Sequence, residues 1–327
     1  MAHCPAFGLR STQVLERNGE VSFGPARKRE DDTTEKLLER RLGEAAGFMS
    51  ASLPVLTFHA LDDRASVISC APRVFRQGVA RLHARGYLTI PLSQAVAYLR
   101  RGHRFPDRAF VLTFDDGFQT MYTQAFPVLQ HYGMSATVFI TTGTADLRES
   151  AARLPTFEGR PMLSGPEMRE MQRGGIEFGA HTLTHTDLTR LPAERIRIEM
   201  AGSKDRIESI LGTPVTSFAY PFGRSDARSR ETAREYFSCA CSDTLGLLSA
   251  RSDPYALERV DAYYLRTTRL FALMTTRLFP WYVFARNVPR QLRRAFTVAN
   301  FVTRDCPLAR GMRPTPRGAR GGRRWSG

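Results

Sequence analysis

The chain has 327 residues, of which 42% are hydrophobic and 24% are charged, a composition typical of a globular α/β protein with a sizeable core. Its five cysteines are scattered and odd in number, which argues against the dense disulfide framework of a small secreted domain and predicts reduced thiols. A Cys-Ser-Cys pair at 239–241 is only a weak metal-binding pattern. No apolar run reaches the ~18 residues of a membrane-spanning helix, so none is expected.

The formal net charge of +15 is concentrated at the C-terminal end. From Tyr264 to Gly327 the sequence contains fourteen arginines and a single acidic residue, Asp305. Residues 266–303 mix arginines with aromatic and aliphatic side chains, which suits either a basic amphipathic segment in peripheral contact with an anionic membrane or a helix packed on the core with solvated arginines. Residues 304–327 are rich in Arg, Gly and Pro, and we expect a disordered tail with no specific nucleic-acid partner.

The N-terminal residues 1–48 carry as many acidic as basic side chains and show no sustained apolar periodicity before Leu37. We expect a disordered or short-helical extension, or an overextended gene start with translation beginning at Met49. No positively charged segment followed by an apolar one is visible near Met1, which predicts a cytoplasmic protein, with at most a peripheral position at the inner membrane face.

Short β-rich runs alternate with helical patterns over residues 49–265, which we interpret as one domain. This alternation is typical of parallel strands joined by helical crossovers and predicts a barrel-like α/β fold. The predicted strands are 53–59, 87–90, 109–114, 135–141, 175–180, 215–220, 236–241 and 256–264. The predicted helices are 73–85, 92–101, 118–132, 164–173, 192–211 and 226–235, with Pro192 at the first helical position.

Polar residues follow several of these strands at their carboxyl ends, where α/β folds place their chemistry. Asp115 and Asp116 end a continuous apolar strand, and two carboxylates at the edge of an apolar interior are costly unless a cation compensates them. A plain Asp-Gly turn is the alternative. His181 and His185 follow another strand, and with Asp116 they form a two-histidine, one-carboxylate set that could hold a metal and leave coordination positions open.

These motifs resemble the polysaccharide deacetylases with the NodB homology domain, carbohydrate esterase family 4, over roughly residues 53–264. The resemblance implies a distorted (β/α)7-type barrel, here with flexible N- and C-terminal extensions. Thr-Phe-Asp-Asp-Gly matches the first motif, which implies Asp115 as catalytic base and Asp116 as a metal ligand. His-Thr-Leu-Thr-His matches the second motif and implies His181 and His185 as the other ligands, with Zn²⁺ as the expected metal.

The third motif of the family, Arg-x-Pro-(Tyr/Phe)-Gly, is matched in its second half by the run that begins at Ala219. The resemblance implies that the Phe222 N–H binds the developing oxyanion. The family's arginine, which braces the catalytic aspartate, is replaced by Ala219, and Arg259 is the candidate that takes its place beside Asp115. Tyr220 and Phe222 are candidate apolar walls around the acetyl group. The predicted substrate contacts are Tyr220, Pro221 and Arg259.

The general acid also departs from the family pattern, because none of the seven histidines occurs after His185. Pro-Val-Leu-Thr-Phe-His, ending at His59, resembles the extra first strand of a branch typified by poly-N-acetylglucosamine deacetylases. That likeness implies His59 as the general acid or a ligand on the substrate side. The alternative is a histidine that only binds the neighbouring loop through Asp62 or Asp63.

Taken together, the resemblance implies a metal-dependent hydrolase that removes N-acetyl groups from an amino sugar or polysaccharide and releases acetate. Its expected partner is an N-acetylated glycan or a lipid-linked sugar. Three alternatives stay open at this point: a related C–N hydrolase that acts on cyclic amides, a noncatalytic sugar- or membrane-binding relative, and a basic RNA-associated protein.

Overall fold

The computed structural model describes residues 52–143 and 159–290. The predicted N-terminal extension, the start at Met49, the end of the basic segment and the Arg-rich tail lie outside the described residues.

A closed ring of seven parallel strands forms the centre of the described part. The ring runs in the order β1-β8-β7-β6-β5-β4-β3 and closes where β3 pairs with β1, while β2 pairs only with β3, outside the ring. The predicted (β/α)7-type barrel is therefore confirmed. The strands are β1 Val55–Phe58, β2 Leu88–Thr89, β3 Ala109–Phe114, β4 Thr137–Ile140, β5 Glu177–Ala180, β6 Ser217–Ala219, β7 Cys239–Leu245 and β8 Leu257–Asp261.

Helices follow most strands, and five of the six predicted helices lie within a few residues of their predicted ranges. The helices are α1 Pro72–Ala84, α2 Leu92–Arg100, α3 Phe126–His131, α4 Gly165–Arg173, α5 Ala193–Leu211, α6 Ala227–Tyr236, α7 Thr268–Ala272 and α8, residues 279–290. Ser164 and Glu167 form a capping box that starts α4. Pro192 precedes α5 as its N-cap, one position before the predicted one.

Three segments differ from the predicted elements. The helix predicted at 118–132 begins as a π turn at Met121–Ala125, directly before Pro127, whose missing N–H cannot bind a carbonyl of the preceding turn. Strand β7 extends beyond its predicted end through an irregularity in its pairing with β8. Strand β8 ends early because the Asp261 side chain accepts from the Tyr263 N–H and caps a 3-10 turn.

The strands carry apolar side chains on both faces, and the two faces belong to different layers. On β3, Phe110, Leu112 and Phe114 belong to the cluster between barrel and helices. Val111 belongs to the second cluster, which fills the barrel and is covered at its lower end by α2. Thr113, two residues after Val111, is on the same inward face of β3, and its hydroxyl lies 3.0 Å from that of Thr57 on β1.

The described residues contain no helix that combines the length and the apolar character of a membrane span. Cys70, Cys239 and Cys241 are buried free thiols, as the scattered cysteine pattern predicts. Cys4 and Cys306 lie outside the described residues.

The turn after β6 depends on Gly223, which has a φ of +64°, and a Cβ added there would lie 2.3 Å from the Asp243 backbone nitrogen. We expect Gly223→Ala to lower the free energy of unfolding by about 3 kcal/mol or more, since backbone strain adds to a clash with another strand. Gly212→Ala is the matched control, because Gly212 has a φ of +67° with open space around it. Its cost should be about 1 kcal/mol. Equal losses in urea denaturation would contradict this account.

Candidate active site

Asp115 lies at the upper end of the barrel interior, where the inward side of β3 ends. Its carboxylate is 4% exposed and accepts two hydrogen bonds from Arg259 on β8, Nη1 to Oδ1 and Nη2 to Oδ2, both at 2.8 Å. The Arg259 Nε–H donates to the Ser242 carbonyl at 3.0 Å, so the guanidinium plane is held on both sides. The pair is therefore a bidentate, buried ion pair of fixed orientation.

Burial raises the pKa of Asp115, but the positive charge of Arg259, with smaller contributions from His181 and His59, outweighs it. The pKa of Asp115 therefore lies below its usual value. Burial lowers the pKa of Arg259, but the negative charge of Asp115 raises it by more, so the pKa of the guanidinium lies above its usual value. Both groups are thus ionised at neutral pH, and Asp115 can accept a proton.

Asp116, His181 and His185 come together beside this ion pair, with one donor atom of each within 4.8 Å of the others. Asp116 Oδ1 lies 3.5 Å from His181 Nε2 and 3.2 Å from His185 Nε2. That oxygen is buried, and among the described residues it has no hydrogen-bond partner. An unpaired carboxylate oxygen facing two imidazole nitrogens is a donor set that fits a divalent cation.

The imidazole of His181 is oriented by the backbone of Ala219, the last residue of β6. Its Nδ1 lies 2.7 Å from the Ala219 carbonyl oxygen, which can only accept, so Nδ1 carries a proton and Nε2 is the ring nitrogen that faces Asp116. A carbonyl partner of this kind fixes both the tautomer and the ring direction.

The loop that carries the two histidines is held by Glu199 on α5, which sequence reasoning missed. This carboxylate is 2% exposed and accepts from the Leu183 and Thr184 N–H groups, both at 3.0 Å, and from the Thr184 hydroxyl at 2.9 Å. A signal was present, since Glu199 lies on the same buried face of α5 as Ile196 and Met200. An acid on an apolar helix face predicts a buried partner.

Left-handed backbone is concentrated in this site. Among the described residues five non-glycine residues have positive φ, and four belong to the site: Asp116, Thr182, His185 and Phe222, with φ of 71°, 68°, 54° and 57°. Each such residue costs about 1 kcal/mol or more, and such strain persists only where the surrounding structure imposes it. The local geometry is therefore set by the fold before any ligand binds.

A pocket of about 500 Å³ opens above these residues, and His59 lines it together with Asp115, Asp116, His181 and His185. The His59 imidazole is 21% exposed, with Nε2 3.9 Å from Asp115 Oδ2. The alternative contact with Asp62 is not formed, because that carboxylate accepts from Arg160 Nε at 2.9 Å and from the Ser69 hydroxyl at 2.6 Å. His59 thus faces the pocket rather than the neighbouring loop.

Phe222 also lines the pocket, with its ring 55% exposed and packed against the edge of His185 at a centroid distance of 4.8 Å. Tyr220 and Pro221, the other predicted substrate contacts, are buried and are not among the residues that line this pocket. The Tyr220 ring points into the helix-facing layer beside Phe218, and its hydroxyl donates to the Tyr255 carbonyl.

Arg259 was predicted as a substrate contact and as a brace for Asp115, and the structure shows the second arrangement. Both Nη atoms are engaged by the carboxylate and only 6% of the side chain is exposed. Further pocket residues that sequence reasoning missed are Val67, Asp243, Tyr264 and Arg290. Nothing in the local sequence distinguishes them, because they come from separate parts of the chain: Asp243 from β7, Arg290 from α8 and the others from connecting segments.

Comparisons with known proteins show which sequences and folds this chain resembles. Residues 102–237 match the family model described as Polysaccharide deacetylase. Over this stretch the chain is therefore similar to the polysaccharide deacetylase family.

Among similar proteins, the putative polysaccharide deacetylase YxkH of Bacillus subtilis (strain 168) is 27% identical over 75% of this chain and 81% of that protein. The poly-beta-1,6-N-acetyl-D-glucosamine N-deacetylase of Escherichia coli (strain K12) is 34% identical, but the match covers 34% of this chain and only 16% of that enzyme. The Streptococcus pyogenes deacetylase PplD, solved in complex with acetate, shares the fold with a TM-score of 0.61 and 24% identity over 69% of this chain and 98% of that one.

We expect Arg259→Met to lower the free energy of unfolding by about 3–5 kcal/mol, because it leaves the Asp115 charge buried without a partner. The double variant Arg259→Met/Asp115→Leu should recover most of this loss, since no charge then stays buried. Urea denaturation measures both. A double variant as unstable as the single one would show that packing of the Arg259 side chain, and not charge compensation, is the main contribution.

Proposed function

We propose that this protein is a divalent-metal-dependent N-deacetylase that hydrolyses the acetamide of an N-acetylated amino sugar and releases acetate. The observation that carries the proposal is the ionised Asp115 beside the Asp116, His181 and His185 donor set in one pocket. The match of residues 102–237 to the polysaccharide deacetylase model supports the reaction class, and the partial similarity to poly-N-acetylglucosamine deacetylases supports an N-acetylglucosamine unit as substrate.

The metal ligands in this proposal are Asp116, His181 and His185, and their two imidazoles and one carboxylate favour Zn²⁺. A cation bound there supplies Lewis acidity that lowers the pKa of water and polarises a carbonyl.

The reaction requires removal of a proton from water, stabilisation of the oxyanion and protonation of the departing amine. Asp115 is the proposed base, and Arg259 keeps it ionised and oriented toward the pocket. The Phe222 N–H, on a left-handed turn at the pocket rim, is the proposed oxyanion donor. His59 is the proposed acid, which gives its proton to the sugar nitrogen as the C–N bond breaks. Acetate and a free amino sugar are the products.

Acetate release from N-acetylglucosamine oligomers tests the reaction class. We expect activity that a chelator abolishes and that Asp115→Asn lowers by about 10²–10⁴-fold, since the amide cannot accept the water proton. Two kinds of substrate should be compared, a soluble glycan oligomer and a lipid-linked N-acetylated sugar. Hydrolysis of cyclic imides or ureides without acetate release would assign a different C–N hydrolase.

Metal content separates the ligands from the other site residues. We expect His185→Ala and Asp116→Asn to lose stoichiometric Zn²⁺, because each removes one of three protein ligands. His59→Gln is the control, since it should keep the metal while kcat falls by about 10²-fold or more. Inductively coupled plasma mass spectrometry and acetate assays on the same samples provide both readouts. Full metal occupancy in the wild type without hydrolysis of any acetamide would instead favour a noncatalytic relative.

A further inference from the structure

Large hydrophobic side chains that remain exposed are unevenly distributed over the described part of the chain. Of nine such residues, four lie on or directly before α8, three line the catalytic pocket and two lie elsewhere. Such a concentration marks an interaction surface rather than chance exposure. The α8 residues are Leu278, Trp281, Phe284 and Val288, the pocket residues are Val67, Phe222 and Tyr263, and the other two are Leu88 and Ile198.

Helix α8 is apolar on two opposite sides. Its inner side packs on the barrel through Phe279 and Val283, which are 2% and 3% exposed. Trp281, Phe284 and Val288 recur at spacings of three and four residues and form an outer stripe, of which Trp281 and Phe284 are 51% and 61% exposed. A helix on a protein surface normally has a polar outer side, so this stripe favours an apolar partner.

Charge decides which partner fits. Residues 262–290 contain five arginines and no acidic residue, and the exposed Arg277 lies four positions before Trp281. A second copy of the chain would bring arginines against arginines. Residues 291–327 have the same sign of charge, with nine arginines and only Asp305, so they complement this surface poorly. Anionic lipid headgroups provide both the negative charge and the apolar layer beneath it.

We propose that the outer stripe of α8 binds an anionic membrane surface, with Trp281 and Phe284 inserted below the headgroups and the helix lying in the membrane plane. Two residues after Val288, the Arg290 guanidinium donates to the Tyr264 hydroxyl at 2.8 Å and to Asp243 Oδ2 at 3.0 Å. Tyr264 and Asp243 both line the catalytic pocket. Membrane docking through α8 therefore brings this pocket close to lipid-anchored substrates.

The fluorescence of Trp281 tests the proposal in the full-length chain. The sequence has two tryptophans, so Trp325→Phe leaves Trp281 as the only one. We expect vesicles of equimolar phosphatidylcholine and phosphatidylglycerol to shift its emission to shorter wavelength and to expose it to quenching by brominated acyl chains. The reverse variant, Trp281→Phe, reports on Trp325 in the tail. Lipid binding needs no turnover, so this result is independent of the proposed deacetylation.

Substitutions in the same single-tryptophan background identify the surface. Leu278→Gln/Phe284→Gln should lower the vesicle partition coefficient at least ~10-fold, because it removes one exposed apolar group from the outer stripe and a second directly before α8. Leu88→Gln/Ile198→Gln is the matched control, with two exposed hydrophobic residues removed elsewhere, and should leave partitioning unchanged.

Three results would overturn the proposal. An unshifted, unquenched Trp281 alongside a responding Trp325 would assign lipid binding to the tail, and this readout holds even if the glutamine variant fails to fold. Unchanged partitioning of a folded glutamine variant would assign it to charge alone. A wild-type dimer that becomes monomeric in the glutamine variant, without vesicle binding by the wild type, would show that a second copy covers the stripe.

Discussion

The buried ion pair between Asp115 and Arg259 is the interaction on which the rest of the site depends. Asp115 directly follows β3 and Arg259 lies on β8, and these two strands do not pair with each other, because β1 lies between them in the ring. The guanidinium therefore reaches the carboxylate above β1, where Thr57 and Thr113 share a hydrogen bond. One contact keeps a buried carboxylate charged, fixes its direction and joins two strands of the barrel wall. Stability and chemistry are linked through the same atoms.

The next residue explains how adjacent carboxylates can differ in role. In an extended strand, successive side chains point to opposite sides. Asp115 and Asp116 lie just beyond the end of β3, where the left-handed backbone of Asp116 turns the chain and gives the two carboxylates different directions. Asp115 then faces the arginine, while Asp116 faces the two histidines. Glu199 holds the histidine loop through its backbone N–H groups. The strain in these turns is balanced by rigid supports, which leaves little reorganisation for ligand binding.

Much of this arrangement could be predicted from the sequence, because parallel strands meet at one edge and their terminal polar residues must converge there. Because Ala219 stands where the motif has an arginine, Arg259 could be predicted as the partner of Asp115, and the structure shows the contact between the two side chains. Tyr220 could not be placed, since β6 is a three-residue strand buried on both faces and carries no polar alternation. Glu199 could be predicted as a buried acid, but its partners depend on how α5 packs against a distant loop.

Closure of the ring by β1 also constrains how the chain reaches its folded state. The strand that supplies His59 has β3 on one side and β8 on the other, and β8 is the last strand of the described domain. A nascent chain that ends before β8 lacks both the second neighbour of β1 and the guanidinium that neutralises Asp115. Contacts of such long sequence separation form late and slow folding. Synthesis must therefore pass β8 before the barrel can close, and until then burial of the Asp115 carboxylate is unfavourable because its charge partner is missing.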